Sequence, residues 1–115
     1  MESVPIRVLI YEDIGGKAPY AHWLDGLRDK QAAAKIEVRI RRIRLGNLGH
    51  WDPVGEGVGE LKIDYGPGYR VYFGRVGSTF VVLLCGGDKK TQRKDIAKAK
   101  VFWQNFKERY HGKED

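Results

Sequence analysis

The sequence predicts an α+β fold, and three observations predict it. Ala33, Ile36, Ile40 and Ile43 recur at steps of three and four, the period of a helix with one buried side. From Glu60 onward the period becomes two: Glu60, Lys62 and Asp64 alternate with Leu61, Ile63 and Tyr65, as on a strand with one buried face. Near the end Ile96, Ala99, Trp103, Phe106 and Tyr110 return to steps of three and four, a C-terminal amphipathic helix.

The elements follow in order. Residues 6–11 (IRVLIY) are β-branched and apolar enough for a first strand, and DIGGK after them reads as a loop. Pro19 is placed to open a short helix carrying Tyr20, Trp23, Leu24 and Leu27 at helical spacing. Asp29 is the expected N-cap of the second helix, which LGNLG ends. HWDPVGEGVG is expected to be an exposed connection. YGPG makes a hairpin loop, and GYRVYFGRV alternates again, with Arg70 and Tyr72 opposite Val71 and Phe73. Residues 79–85 (TFVVLLC) are apolar on both faces, an inner strand. The expected order is strand, helix, helix, a three-strand meander, helix, in one domain over residues 1–115. The helices are expected on the Leu61, Ile63, Val71 and Phe73 face. The other face is expected to stay open, with Glu60, Lys62, Arg70 and Tyr72 on it.

Lys and Arg number 21 against 15 Asp and Glu, a net charge of +6 that favours polyanionic partners. The single cysteine, Cys85, has no internal disulfide partner and reads as a small buried hydrophobe. No signal-like or membrane-length apolar run occurs, so a cytoplasmic protein is expected. His22, His50 and His111 lack metal-ligand spacing, and no serine or cysteine sits in a nucleophile motif.

LLCGGDKKTQ, residues 83–92, passes abruptly from apolar strand to charge. Its spacing is not that of a Walker loop. It reads as a strand, a glycine turn baring backbone N–H groups, and a helix start flanked by Lys89 and Lys90. Lys62, Arg70 and Tyr72 share one strand face by their period of two. Arginine offers phosphate a planar fork, lysine a point charge, and tyrosine a ring on which a base stacks. Glu60 joins that patch, with pairing to Lys62 its expected role and proton acceptance the alternative.

Residues 57–100, above all GYRVYF and LLCGGDKKTQ followed by DIAKAK, resemble the RelE/ParE toxin superfamily, and more closely its HigB-like addiction module killer branch. The likeness runs from the first strand through the C-terminal helix. It implies a small, mostly antiparallel sheet with two N-terminal helices packed on it and a C-terminal helix. It also implies a type II toxin neutralised by a cognate antitoxin of helix-turn-helix type, with operator DNA bound only through that antitoxin. RelE-like members cut mRNA on the ribosome without metal or cofactor: the 2′-hydroxyl attacks the adjacent phosphate and leaves a 2′,3′-cyclic phosphate. ParE-like members instead inhibit DNA gyrase, and a shared fold does not separate the two.

The resemblance places Arg70 at the arginine that grips the scissile phosphate. Lys89 falls near the basic residue that assists the leaving group, and Lys62 at a lysine that activates the 2′-hydroxyl. Beside these, Tyr72, Lys90, Gln92 and Arg93 are expected to contact the RNA. Two departures stand out. Glu60 occupies the place of a second lysine, and the RelE tyrosine near the C-terminus has no counterpart. Glu60, Lys62 and His50 are therefore the candidates for general base.

Overall fold

The computed structural model describes residues 4–114, with side chains described through Tyr110; His111 lies outside the described side chains. The fold is α+β, a five-stranded mixed sheet with three α-helices. β1 (Arg7–Ile10) is followed by α1 (Pro19–Asp25) and α2 (Lys30–Arg44). Then come β2 (Asp52–Gly55), β3 (Val58–Ile63), β4 (Tyr69–Val76), β5 (Phe80–Gly87), a 3₁₀ turn (Lys89–Thr91) and α3 (Gln92–Glu114). The strand order is β1-β5-β4-β3-β2, with β1 parallel to β5 and every other pair antiparallel.

The first two helices start as their sequences dictate. Pro19 sits in the first turn of α1, where its missing N–H costs nothing. Asp29 caps α2 by accepting from the Gln31 and Ala32 amides at 3.0 and 3.1 Å. The buried line of α2 is Ala32, Ile36, Ile40 and Ile43. Ala32 thus replaces the expected Ala33, since a step of four from Ile36 points more squarely at the sheet.

Three further expectations fail here. The stretch read as an exposed connection contains β2, an edge strand joined to β3 by a two-residue turn. Glu56 and Gly57 have φ of 55° and 83°, both left-handed, as a type I′ hairpin requires. Pro53 hid the strand, yet proline is admissible at an edge, where no ladder partner needs its N–H. The sheet therefore has four consecutive antiparallel strands rather than a three-strand meander.

The second failure concerns the face expected to be open. α1 and α2 bury Tyr20, Ile36, Ile40 and Ile43 against Leu61, Ile63, Val71, Phe73, Val81 and Leu83. α3 covers the opposite face, where Ala99 and Trp103 pack on Val58, Tyr72, Val82, Leu84 and Cys85. The sheet is a filling between helical layers, because α3 carries an apolar stripe that must be buried somewhere. Among the described residues no helix is long and apolar enough to cross a membrane.

The glycines of the 83–92 corner lie inside β5 and not in a turn. Between Tyr72 and Phe73 the β4–β5 register slips by one, a bulge at Leu84. Leu84 and Cys85 both join the α3-side core, and the next two residues are re-aimed. A Cβ at Gly86 would collide with the Trp23 ring, and one at Gly87 with the Asp95 carboxylate. Glycine is required there so that α1 and α3 can approach from opposite sides.

Burial on both faces has an alkaline signature. It pushes the Cys85 thiol up to about 12 from 9.0 and the Tyr20 hydroxyl up to about 12 from 10.0. Both groups are neutral when protonated and have raised values in the fold. Their contribution to stability is complete below the unfolded values and is lost as pH rises through the folded ones. The urea midpoint is expected to be level below pH 9 and to fall steadily toward pH 12. Cys85→Ala removes the part of the fall that begins near 9. A midpoint unchanged up to about pH 11 would contradict this burial.

Candidate functional site

The even-numbered residues of β3 and β4 form a polar row where α3 begins. In register, Lys62 lies opposite Arg70, and Arg70 opposite Gly87. Glu60 lies opposite Tyr72 on one side and Asp52 on the other. The row is thus Lys62–Arg70–Gly87, and beyond Gly87 the chain continues through Asp88 to Lys89.

Glu60 organises this end of the sheet. It is 2% exposed, and its Oε2 accepts from Tyr72 Oη at 2.9 Å and Gln92 Nε2 at 2.8 Å. Arg70 Nε faces the same oxygen at 3.4 Å as an ion pair without hydrogen-bond alignment. A carboxylate surrounded by three such groups is held in place beside Arg70, which is itself only 9% exposed. The expected pairing of Glu60 with Lys62 does not occur. Lys62, half exposed, pairs instead with Asp52 at 3.7 Å, and Asp52 also meets His50 at 3.5 Å. His50 is thereby placed at the β2 edge, its ring directed to Asp52.

Arg70 is fixed at one further point, Nη1 donating to the Gly68 carbonyl at 3.0 Å. No described residue accepts a hydrogen bond from Nη2. Gly68 is also where the lysine corner comes close. A Cβ placed on Gly68 would lie 3.5 Å from Arg70 Nη1 and 3.8 Å from Lys89 Cβ. The β3–β4 loop is thus the floor between the buried arginine and the root of Lys89.

Lys89, Lys90 and Arg93 are exposed, and none is paired with a carboxylate among the described residues. The backbone around them differs from expectation. Asp88 Oδ1 accepts from the Lys90 and Thr91 amides at 2.9 and 3.2 Å, and the Thr91 hydroxyl reciprocates to the Asp88 amide. This capping box occupies the N–H groups that a bared turn would have presented. What the corner presents to an anion is lysine ammonium groups.

Tyr72 is corrected most firmly. Its ring is 0% exposed, so no base stacks on it. Burial, then its hydrogen bond to Glu60, pushes the hydroxyl far above its ordinary range, and it acts as a fixed donor. Gln92 is likewise a tether, joining the first turn of α3 to Glu60. Asp52 and Gly68 were missed in the sequence, and both follow from register once β2 and the β3–β4 hairpin are recognised. Among the described residues no three His, Cys, Asp or Glu side chains are grouped to hold a metal ion.

Fold and site together define a basic α+β protein whose polar row surrounds a buried arginine. No family model matches the sequence. The chain is 50% identical over 84 residues to an uncharacterized protein of Haemophilus influenzae, an overlap covering 73% of this chain and 85% of that protein. It belongs to the same family as that Haemophilus influenzae protein.

Proposed function

We propose that this protein is a RelE/ParE-type toxin of the HigB-like branch, a metal-independent endoribonuclease that cuts translated mRNA and is neutralised by a cognate antitoxin. The observation that carries the reading is the meeting at Gly68 of an arginine locked by a buried carboxylate and the root of Lys89, which pairs with no carboxylate among the described residues.

The chemistry asked of such a site is charge stabilisation. When a 2′-hydroxyl attacks the neighbouring phosphorus, the O5′ bond breaks, and negative charge builds on the phosphoryl oxygens and the departing oxygen. Arg70 is the group that holds the phosphoryl oxygens, through the Nη2 donors that no described residue engages. Lys89 stabilises the leaving oxygen and supplies its proton. Lys62, opposite Arg70, lies beside the attacking hydroxyl, whose proton passes to solvent as the O2′–P bond forms. A preorganised donor of this kind contributes about 3–4 kcal/mol.

Glu60 is better read as the positioning residue for Arg70 than as the base, because its Oε2 already serves Tyr72, Gln92 and Arg70. His50 is exposed and engaged with Asp52, which leaves Lys62 as the group nearest the nucleophile's place. Tyr72 drops out as an RNA contact. Lys90 and Arg93 remain as exposed phosphate contacts.

The test is to induce the protein in cells and map new 5′ ends on transcripts. Cuts phased to codons are expected. Intact transcripts accompanied by broken chromosomes would replace this reading with gyrase inhibition.

A further inference from the structure

A second cationic feature lies on the other side of the β3 edge. β2 pairs with β3 only as far as Glu60, so the end of β3 from Leu61 onward is uncovered. Between this end and α2 runs a groove of about 430 Å³, bordered by Lys35, Arg39, Arg42, Lys62, Asp64 and Tyr65. Lys35, Arg39 and Arg42 follow one flank of α2 at steps of four and three. That spacing sets cations about one helical turn, roughly 5.4 Å, apart along the groove.

Among the described residues no carboxylate pairs with Lys35, Arg39 or Arg42. Lys35 lies over the Tyr65 ring, 5.2 Å from its centroid, and Arg39 Nη2 donates to the His50 carbonyl at 2.6 Å. Burial first, and the neighbouring Arg42 second, lower the Arg39 guanidinium from its ordinary value. Asp64 is the one acidic residue lining the groove.

We propose that this groove is a phosphate track for single-stranded RNA, continuous through Lys62 with the Arg70 site. Lys62 belongs to both: it lines the groove and stands opposite Arg70 in the β3–β4 ladder. A strand whose scissile phosphate rests on Arg70 rounds the uncovered end of β3 and lays its neighbouring phosphates along Lys35, Arg39 and Arg42. That continuity favours RNA over an acidic peptide. The inference rests on the RNA reading of the Arg70 site and adds to it where the substrate strand runs.

The test uses the full chain and a short 2′-O-methyl oligoribonucleotide, which has no 2′-hydroxyl to react, so that binding is read apart from cleavage. Affinity is measured by fluorescence anisotropy from about 50 to about 200 mM salt. In Lys35→Gln/Arg42→Gln both replaced residues are exposed, and circular dichroism and melting confirm the fold. Removal of two phosphate contacts is expected to reduce the log–log salt slope by about 1.4, at about 0.7 per contact on a single strand. A slope unchanged from wild type overturns the track while leaving the Arg70 reading intact. Wild type that neither binds this oligonucleotide nor cuts RNA overturns both. A glutamate-rich peptide that competes for wild type but not for the double variant, with the RNA slope unchanged, assigns the groove to an acidic partner and overturns the proposal.

Discussion

Arg70→Ala is expected to abolish growth inhibition, with cleavage of RNA falling by about 10²–10³-fold. The change removes the fork whose Nη2 has no partner among the described residues and leaves Glu60, 2% exposed, without its cation. Breaking a buried pair typically costs about 3–5 kcal/mol. The lower end applies here, because Tyr72 and Gln92 still donate to the carboxylate. Two companions separate chemistry from folding. Arg70→Ala/Glu60→Gln relieves the orphaned charge and is expected to recover stability but not activity. Arg70→Lys keeps a cation beside Glu60 without the planar donor set, so it is expected to fold well and cut poorly. Undiminished toxicity in a folded Arg70→Ala protein would end the assignment.

Trp103→Ala carries the largest expected cost to stability, about 3–5 kcal/mol. Trp103 is buried and stacks on Phe106 with ring centroids 5.5 Å apart. Its ring fills the space that a Cβ on Gly74 would need, so β4 and α3 are matched there, ring against glycine. Truncation opens a cavity between β4 and α3, and it loosens the helix whose first residue, Gln92, steadies Glu60. Urea unfolding of wild type and variant measures the difference. A loss under about 1 kcal/mol would mean that α3 is held by something other than this contact.

The two faces of the sheet show how far the sequence could be read. Helical periodicity placed α1, α2 and α3, and alternation placed β3 and β4, because one-sided burial imprints its period directly. The cover over the second face was also written in the chain. β5 is apolar on both sides, and a strand buried on both sides needs a layer on each. The polar Glu60, Lys62 and Arg70 masked that conclusion. They looked like a solvated face, whereas Glu60 and Arg70 form an ion pair buried under the start of α3. Periodicity reports which side a residue faces and is silent on what covers that side.

The site was legible as a set and not as a set of roles. Lys62, Arg70 and the lysine corner do share one end of the sheet, since a period of two and a strand end are enough to place them. Tyr72 was misread because an aromatic beside cations looks the same in sequence whether it stacks on a base or donates to a buried carboxylate. Gly86 and Gly87 were misread because a glycine pair marks a turn as readily as a close approach. Only the positions of Trp23 and Asp95 decide between them.

The most direct test is the chemistry of the cut ends. Purified protein is incubated with ribosome-bound mRNA in excess EDTA, and the upstream fragment is characterised by mass spectrometry. A 2′,3′-cyclic phosphate, lost when the nucleotide before the cut is 2′-deoxy, is the predicted result. Cleavage that persists at that deoxy position, or that yields a 3′-hydroxyl, would contradict it.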